Sequence, residues 1–206
     1  MNRRIFVTGI GTEIGKTFCS AIVVEALKAD YWKPVQAGEL DDLDSLWVRD
    51  FISNSTSVFH KERYLLSEPM SPHAAARIDG ISIQLDDFKI PSTQNNLVIE
   101  GAGGLMVPLN DTGDMVVDLI EKVADEVILV SMNYLGSINH TLLSVELLKS
   151  RGLKITGILF NGESNLETEE IILKTTGLKC LGKIPMADSD IKEFVKEQAQ
   201  MIAPNL

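Results

Sequence analysis

Residues 5–17 read Ile5-Phe6-Val7-Thr8-Gly9-Ile10-Gly11-Thr12-Glu13-Ile14-Gly15-Lys16-Thr17. A short apolar strand here leads directly into a glycine-rich loop that ends in Gly-Lys-Thr, where a helix is predicted to begin. Glycines let the backbone turn tightly enough for several N–H groups to face one anion, and the helix N-terminus adds partial positive charge. Lys16 can reach the β- and γ-phosphates, and the Thr17 hydroxyl can ligate Mg²⁺. The stretch therefore predicts a phosphate loop that binds a nucleoside triphosphate.

The loop differs in length from the common phosphate-loop motif. Five residues separate Gly9 from Gly15, whereas the common motif has four. Gly9 and Gly11 also begin a GxG pattern, so a dinucleotide site is an alternative. That alternative requires GxGxxG and an acidic residue at the end of the second strand, but this chain has GxGxxxG and ends that strand in Lys33-Pro34. We favour the phosphate loop; a glycine-rich turn without a ligand is the remaining alternative.

Composition and charge exclude several classes of function. The chain has 206 residues, is 45% hydrophobic and 23% charged, and carries a net charge of −10 without a Lys/Arg cluster, so no nucleic-acid partner is predicted. No apolar run approaches the ~20 residues of a membrane span. The C-terminal apolar pattern of residues 191–202 suits core docking better than a basic membrane-surface helix.

Cys19 and Cys180 are interpreted as buried free thiols of a reducing compartment, and a cytoplasmic location is expected.

The order of predicted elements indicates an α/β fold. Apolar runs alternate with helical patterns, which predicts one domain over residues 1–206, built on a parallel sheet with helices on both faces. The predicted strands are Ile5–Thr8, Tyr31–Val35, Leu97–Ile99, Val127–Met132, Gly157–Phe160 and Leu181–Ile184. The predicted helices are Lys16–Ala29, Asp41–Ser53, Met115–Ala124, Ile138–Ser150, Leu166–Thr176 and Ser189–Met201. The stretch 60–91 is the least regular and is expected to be a functional loop.

Ligands of such sheets collect beyond the carboxyl ends of the strands, where several candidate side chains lie. Glu100 ends an apolar strand and is a candidate Mg²⁺ ligand, with a helix-capping role as the alternative. Asp44 can ligate the metal or lie among the capping carboxylates of a helix. Pro34 keeps Lys33 extended at a strand end, where it is either a site cation or a surface lysine. His73 and His140 are expected to be structural.

Together these segments resemble one known family. Val7–Thr17, Lys33-Pro34-Val35, Ser71-Pro72-His73, Val98–Gly104 and Leu135–His140 are similar, in this order, to the motifs of dethiobiotin synthetases. The resemblance covers about Ile5 to Met186. It implies a P-loop NTPase fold and a homodimeric ligase of biotin biosynthesis. It also implies that the ligase uses ATP, Mg²⁺ and CO₂ or bicarbonate to close 7,8-diaminopelargonate into dethiobiotin.

The resemblance also implies residue roles. Lys16, Lys33 and Thr12 would be catalytic, and Thr17, Asp44 and Glu100 would hold the metal. Substrate would be bound by Thr12, Lys33, Ala37, Gly136, Ser137 and Asn139, the last three from the neighbouring subunit. ATP would be bound by Glu13, Ile14, Gly15, Lys16, Thr17, Phe18, Asp44, Glu100, Gly101, Ala102, Gly103, Asn161, Ile184, Pro185 and Met186.

Two residues depart from the family pattern, and two rival functions remain. Ala37 stands where a hydroxyl residue is common, so Gln36 or a backbone group would supply that hydrogen bond. Gly162 stands where an acidic residue is common, next to the predicted base contact. A partner-switching ATPase of the ParA/MinD kind is one rival, but its signature lysine is missing from the loop, which carries Glu13 instead. A larger ATP-dependent amidoligase is the other, and this chain has no room for a glutamine-hydrolysing domain.

Overall fold

A computed structural model describes residues 2–187 and 190–206, and within these ranges it has nine strands and seven α-helices. The strands are β1 Arg4–Gly9, β2 Asp30–Trp32, β3 Val35–Ala37, β4 Phe59–His60, β5 Tyr64–Leu66, β6 Leu97–Gly104, β7 Glu126–Met132, β8 Ile155–Asn161 and β9 Cys180–Ile184. The helices are α1 Lys16–Leu27, α2 Asp44–Phe51, α3 Pro72–Ile78, α4 Val116–Val123, α5 Ser137–Ser150, α6 Leu166–Thr176 and α7 Ile191–Ile202. Short 3₁₀ turns cover Leu85–Asp87 and Ala203–Asn205.

Seven strands form one sheet in the order β4-β2-β6-β1-β7-β8-β9, and every neighbouring pair is parallel. Its central strands are apolar on both faces because each face is covered by helices. Helices α1, α2 and α7 pack on one face, around residues such as Val7 and Val98. Helices α3 to α6 pack on the other face, around residues such as Phe6, Ile99 and Leu129. The predicted α/β fold, with a parallel sheet between two helical layers, is confirmed.

The predicted second strand is wrong in its extent, because Pro34 divides the Tyr31–Val35 run. Strand β2 ends at Trp32 in the main sheet, and β3 pairs with β5 in a separate two-stranded sheet. Proline has no N–H to donate to a ladder, so the main sheet does not continue through this position. The Pro34 carbonyl instead accepts hydrogen bonds from the N–H groups of Arg63 and Tyr64, at 2.9 and 3.0 Å.

The stretch 60–91 is more regular than the sequence indicated. It contains the end of β4, all of β5 and all of α3, and α3 begins at Pro72, where a missing N–H costs nothing. Three-residue strands and a two-turn helix are too short to show a clear hydrophobic period, which explains why they were missed. This stretch places Pro69–Pro72 beside the phosphate loop.

The predicted third strand, Leu97–Ile99, is too short, and Glu100 does not end it: β6 continues through Glu100 to Gly104, because Gly104 still pairs with Gly9 of β1.

Helix boundaries also differ. Helix α2 begins at Asp44 rather than Asp41. The predicted start of the last helix, Ser189, lies outside the described residues, and α7 is described from Ile191. The Asp190 carboxylate caps α7 by accepting hydrogen bonds from the N–H groups of Lys192 and Glu193. Core docking of α7 is confirmed, because its apolar residues (Phe194, Val195, Ala199 and Ile202) are buried in the core beside α1.

The two cysteines differ in burial. Cys19 is a buried free thiol as expected, whereas Cys180 is only half-buried at the start of the edge strand β9. In the described ranges, no helix is long and apolar enough to cross a membrane.

Candidate functional site

The phosphate loop lies at the carboxyl end of β1, in the middle of the sheet, and leads into α1. Gly15 precedes the helix with φ +79°, a left-handed conformation that favours glycine. Glu13 also has a positive φ, of +57°, and its side chain is exposed. The Lys16 ammonium turns back over the loop and donates a hydrogen bond to the Gly11 carbonyl at 2.9 Å.

Asn161 supports this loop from the end of β8. Its Nδ2 donates a hydrogen bond to the Ile14 carbonyl at 3.0 Å. A side chain at position 15 would displace the Asn161 amide from this hydrogen bond, in addition to the strain set by the positive φ. The predicted base-binding residue is therefore in direct contact with the phosphate loop.

Glu100 is the centre of a buried hydrogen-bond network below the loop. It is 1% exposed, and its Oε1 accepts hydrogen bonds from the Thr17 hydroxyl at 2.8 Å and the Lys33 ammonium at 3.0 Å. Its Oε2 accepts a third hydrogen bond, from the Tyr31 hydroxyl at 2.8 Å. Tyr31 and Lys33 are two residues apart and extended, so both point to the face that carries Glu100 on the neighbouring strand β6.

Lys33 joins two carboxylates. Its ammonium is in contact with Glu100 and also with Asp44, the first residue of α2. Lys33 is 7% exposed, so its charge would be costly without these partners. The network therefore brings Thr17, Lys33, Asp44 and Glu100 together, as the sequence predicted, and adds Tyr31.

Burial and charge shift the titration of this cluster. Burial works to raise the pKa of the Glu100 carboxyl, but the charge of Lys33 and the hydrogen bonds from Tyr31, Thr17 and Lys33 outweigh it, so the pKa is lowered. Burial lowers the pKa of Lys16 to about 8, although Glu100 opposes the shift. Burial, followed by the charge of Glu100, raises the pKa of the Tyr31 hydroxyl, so Tyr31 keeps its proton at neutral pH and donates a hydrogen bond to Glu100.

The network faces a cleft of about 600 Å³. Twelve of the predicted site residues line this cleft: Thr12, Glu13, Gly15, Lys16, Thr17, Lys33, Ala37, Asp44, Glu100, Gly101, Ala102 and Gly103. Eight further residues also line the cleft: Val35, Gln36, Glu39, Pro69, Met70, Ser71, Pro72 and Val107. Sequence reasoning gave none of them a site role except the conditional one of Gln36, although Val35, Ser71 and Pro72 belong to the quoted family motifs. A triphosphate and a small substrate can thus occupy one continuous space, bounded by the phosphate loop and the β3–β5 sheet.

The other predicted residues lie outside this cleft. Ile14 is buried in the core, and the Phe18 ring stacks on Phe194 with centroids 5.6 Å apart. Gly136, Ser137 and Asn139 lie at the start of α5, beyond β7, and Ile184, Pro185 and Met186 lie at and just beyond the end of β9. The structure does not bring these segments to the cleft, so their roles stay predictions.

Sequence reasoning missed Tyr31 and gave Gln36 only a conditional role. Tyr31 could have been found from its spacing, because i and i+2 in a strand share a face and Lys33 was already a candidate. Gln36 is 3% exposed, and its Nε2 donates to the Gly38 carbonyl at 3.1 Å. Its Oε1 is buried without a hydrogen-bond partner among the described residues.

The donor chemistry of the cluster fits magnesium. Thr17, Asp44 and Glu100 offer hydroxyl and carboxylate oxygens, which are the hard ligands that Mg²⁺ prefers. In the part of the chain that is described, no three His, Cys, Asp or Glu side chains form a group that could hold a metal. A magnesium ion here would thus depend on the Thr17 hydroxyl and on phosphate oxygens as well as on the two carboxylates.

Comparisons with known proteins agree with this class of site. A family model described as "AAA domain" matches residues 3–193, and the fold and loop define a P-loop nucleoside triphosphatase.

Three relatives are each named ATP-dependent dethiobiotin synthetase BioD. The protein from Christiangramia forsetii is 54% identical, over 100% of this chain and 99% of its own. The protein from Cytophaga hutchinsonii is 50% identical, over 98% of both. The protein from Afipia carboxidovorans is 45% identical, over 90% of this chain and 88% of its own. The chain therefore belongs to the dethiobiotin synthetase family.

Solved structures show a wider relationship in fold. A putative plasmid partition protein from Borrelia burgdorferi bound to AMPPNP superposes with a TM-score of 0.60 at 12% identity, over 98% of this chain and 97% of its own. MinD from Pyrococcus horikoshii, complexed with Mg-ADP, superposes with a TM-score of 0.57 at 14% identity, over 98% and 96%. At such identities the likeness concerns the fold alone. The ParA/MinD alternative is thus supported only as a distant structural relationship.

Proposed function

We propose that this protein is an ATP-dependent dethiobiotin synthetase, a ligase of biotin biosynthesis. Its substrates would be 7,8-diaminopelargonate, CO₂ or bicarbonate, and ATP. The observation that carries the proposal is the shared cleft, in which the phosphate loop and the Lys33–Glu100 pair face one space. Relatives at 45–54% identity over most of the chain support the same reaction. ATP supply and two free thiols fit a cytoplasmic location.

The reaction joins CO₂ to two amines in three steps. One amine takes up CO₂ and loses a proton, which gives a carbamate. A carbamate oxygen then attacks the γ-phosphorus of ATP, so ADP leaves and a carbamic–phosphoric anhydride forms. The second amine attacks the anhydride carbon, the C–O bond to phosphate breaks, and the cyclic urea of dethiobiotin forms with loss of a proton. Catalysis of such a transfer depends on positioning and on neutralisation of charge.

The residues of the phosphate loop would bind the triphosphate. Its N–H groups and the start of α1 attract the phosphate oxygens, and Lys16 would leave the Gly11 carbonyl to neutralise the γ-phosphate. Thr12 and Glu13 lie on the cleft side of the loop, where a diamine would meet the γ-phosphate. The Glu13 carboxylate would then face a cationic or hydrogen-bonding amine rather than phosphate alone.

Lys33 and its partners would serve the carboxylated end of the diamine. The Lys33 ammonium would stabilise the carbamate and the charge that develops during phosphoryl transfer. Thr17, Asp44 and Glu100 would hold Mg²⁺, which neutralises charge on the phosphates when it is bound. Glu100 is buried and pinned by three hydrogen bonds, so it presents its oxygens in a fixed orientation.

The remaining roles extend the proposal beyond the cleft. Asn161, Ile184, Pro185 and Met186 would bind the adenine base at the ends of β8 and β9. Gly136, Ser137 and Asn139 would bind the substrate carboxylate at the N-terminus of α5 of a second subunit, which implies a homodimer. Exposed apolar side chains near this helix start, Leu135 and Ile138, suit contact with such a subunit.

A direct assay tests the proposal. Purified protein is incubated with diaminopelargonate, bicarbonate, ATP and Mg²⁺, and ADP and dethiobiotin are measured together. We expect ADP release that requires the diamine and equals dethiobiotin in amount. ATP hydrolysis that is indifferent to the diamine would contradict the proposal and favour a ParA/MinD-like switch.

Two variants distinguish the role proposed for Lys16 in ATP binding from the role proposed for Lys33 at the carbamate. Lys16→Ala should abolish turnover and weaken ATP binding, because the phosphates lose their cation. Lys33→Ala should reduce turnover far more than ATP affinity, because Lys33 is assigned to the carbamate end. Calorimetric titration with ATP measures affinity, and equal loss of ATP affinity in both variants would show that the role given to Lys33 is wrong.

A further inference from the structure

Lys33 and a divalent cation would need the same oxygens. The Lys33 ammonium is in contact with Asp44 and with Oε1 of Glu100. These are the two carboxylates that the proposed function assigns to magnesium, so the inference below depends on that function.

Glu100 has little freedom to serve both cations. Tyr31 holds Oε2 through a 2.8 Å hydrogen bond, and Thr17 shares Oε1 with Lys33. Three hydrogen bonds use most of the roughly four acceptor positions of the carboxylate, and the residue is 1% exposed, so it has little capacity left for a second cation while Lys33 stays in place. In such a buried site, an ammonium and a divalent ion on the same oxygens would repel each other strongly.

The surroundings of Lys33 allow it to move away. Lys33 lines the cleft, and its four-carbon stem carries a compact charge that can be redirected by rotation. Metal at Asp44 and Glu100 would remove the attraction that holds the ammonium there. The nearest place for the released charge is the cleft itself, where the carbamate and the γ-phosphate would lie.

We propose that Lys33 is a competing internal counter-ion of the metal site, and that metal binding releases its ammonium into the cleft. The Lys33 ammonium thus neutralises the two carboxylates before metal binds, and it stabilises the reacting oxygens afterwards. Metal occupancy is thereby coupled to the arrival of the catalytic cation.

Metal affinity without nucleotide tests the competition. Mn²⁺ is titrated into the wild-type protein and into Lys33→Met, and free Mn²⁺ is measured by electron paramagnetic resonance. Because the variant loses the competing ammonium, we expect Mn²⁺ to bind at least about ten-fold more tightly. Unchanged or weaker binding would contradict the proposal.

Lys16→Met is the matched control for charge in general. Lys16 lies in the same cleft, but its ammonium bonds to the Gly11 carbonyl rather than to a carboxylate. Its removal should tighten Mn²⁺ binding much less than removal of Lys33. Equal tightening in both variants would mean that long-range charge, not competition for shared oxygens, accounts for the effect. Thermal unfolding checks that each variant folds, and Lys33→Gln repeats the test if Lys33→Met does not.

A crystal structure of the wild-type protein with Mg²⁺ and ADP tests the release. We expect the Lys33 Nζ to have left contact with Asp44 and Glu100 while the metal occupies those oxygens. Metal bound with Nζ still on both carboxylates would contradict the release. The dethiobiotin assay is independent of these measurements, so a chain that shows the competition but makes no dethiobiotin would overturn the proposed function alone.

Discussion

Two buried glutamates at opposite ends of the sheet differ in what surrounds them. Glu100 lies within β6 at the carboxyl edge, is 1% exposed and is held by Thr17, Tyr31 and Lys33. Glu126 begins β7 at the amino edge and is 3% exposed. It is held by Arg3, Lys154 and Thr156. Each carboxyl has a lowered pKa, in spite of burial, because cations and hydrogen bonds favour the charged form.

A buried, paired carboxylate does not by itself identify a site. Two of the partners of Glu100, Thr17 and Lys33, line the cleft, where a ligand can reach them, whereas Tyr31 is fully buried. Lys154 is 71% exposed, and Glu126 does not line the cleft that Glu100 lines. Helix N-termini and glycine-rich loops collect at the carboxyl end of a parallel sheet, which favours the proposed site at that end.

The largest expected difference is in turnover. Glu100→Gln keeps the size of the side chain but removes its charge, so we expect dethiobiotin formation to fall about 100-fold. Glu126→Gln should stay within about two-fold of the wild type. Steady-state kcat with all substrates saturating measures both. A comparable loss in both variants would mean that the two glutamates act through stability alone.

Glu126 is expected to affect the stability of the protein rather than its turnover. Glu126→Gln should lower the free energy of unfolding by about 1–2 kcal/mol, because a carboxylate with three partners is lost at a site where two of them are partly exposed. Urea denaturation at neutral pH measures the change. A variant as stable as the wild type would show that these contacts contribute nothing net.

The contribution of Glu126 to the free energy of unfolding should depend on pH. Cations and hydrogen bonds lower the pKa of Glu126 from 4.5 to about 2 in the folded protein, although burial opposes them. Its contribution is therefore complete above the unfolded pKa and is lost as pH falls toward 2. Between about pH 4.5 and 2 the wild type should lose more stability than Glu126→Gln, as measured by denaturation at each pH. Parallel losses would contradict this assignment.

Each of the two glutamates accepts a hydrogen bond from one hydroxyl group that can be removed separately. Tyr31→Phe removes the hydrogen bond to Oε2 of Glu100, and Thr156→Val removes one to Oε2 of Glu126. We expect kcat to fall about ten-fold in Tyr31→Phe, because Glu100 loses its fixed orientation. Thr156→Val should leave kcat within about two-fold of the wild type. If Tyr31→Phe is fully active, Tyr31 is a packing residue only.

The smallest effect is expected at the exposed partner of Glu126. Lys154→Met removes a charge that is mostly in solvent, so the free energy of unfolding should change by less than about 0.5 kcal/mol. Urea denaturation beside Glu126→Gln measures it. A loss as large as that of Glu126→Gln would show that Lys154 is the partner that matters.

The sequence predicted the phosphate-loop side of the cleft better than the residues of β3 and of 69–72 that also line it. The phosphate loop, Glu100 and Lys33 were found because a loop motif and strand ends are local signals. The resemblance added Thr12 and favoured the metal role among the alternatives for Asp44, and the structure brings both residues to the same cleft.

The remaining features depend on contacts between distant segments. The pairing of β3 with β5 joins residues some thirty positions apart, after Pro34 has ended the main-sheet strand. The two-sided contact of Lys33 likewise depends on where α2 begins, at Asp44, and no local pattern specifies that position. Helix and strand ends are the least predictable parts of a sequence because capping contacts come from outside the element.

Oxygen transfer tests the central claim, that the cleft brings a carboxylated diamine to the γ-phosphate of ATP. The protein is incubated with ¹⁸O-labelled bicarbonate, the diamine, ATP and Mg²⁺, and the released phosphate is analysed by mass spectrometry. Because a carbamate oxygen attacks phosphorus and stays on it, each phosphate should carry one oxygen from bicarbonate. Phosphate that carries oxygen only from ATP and water would contradict the account.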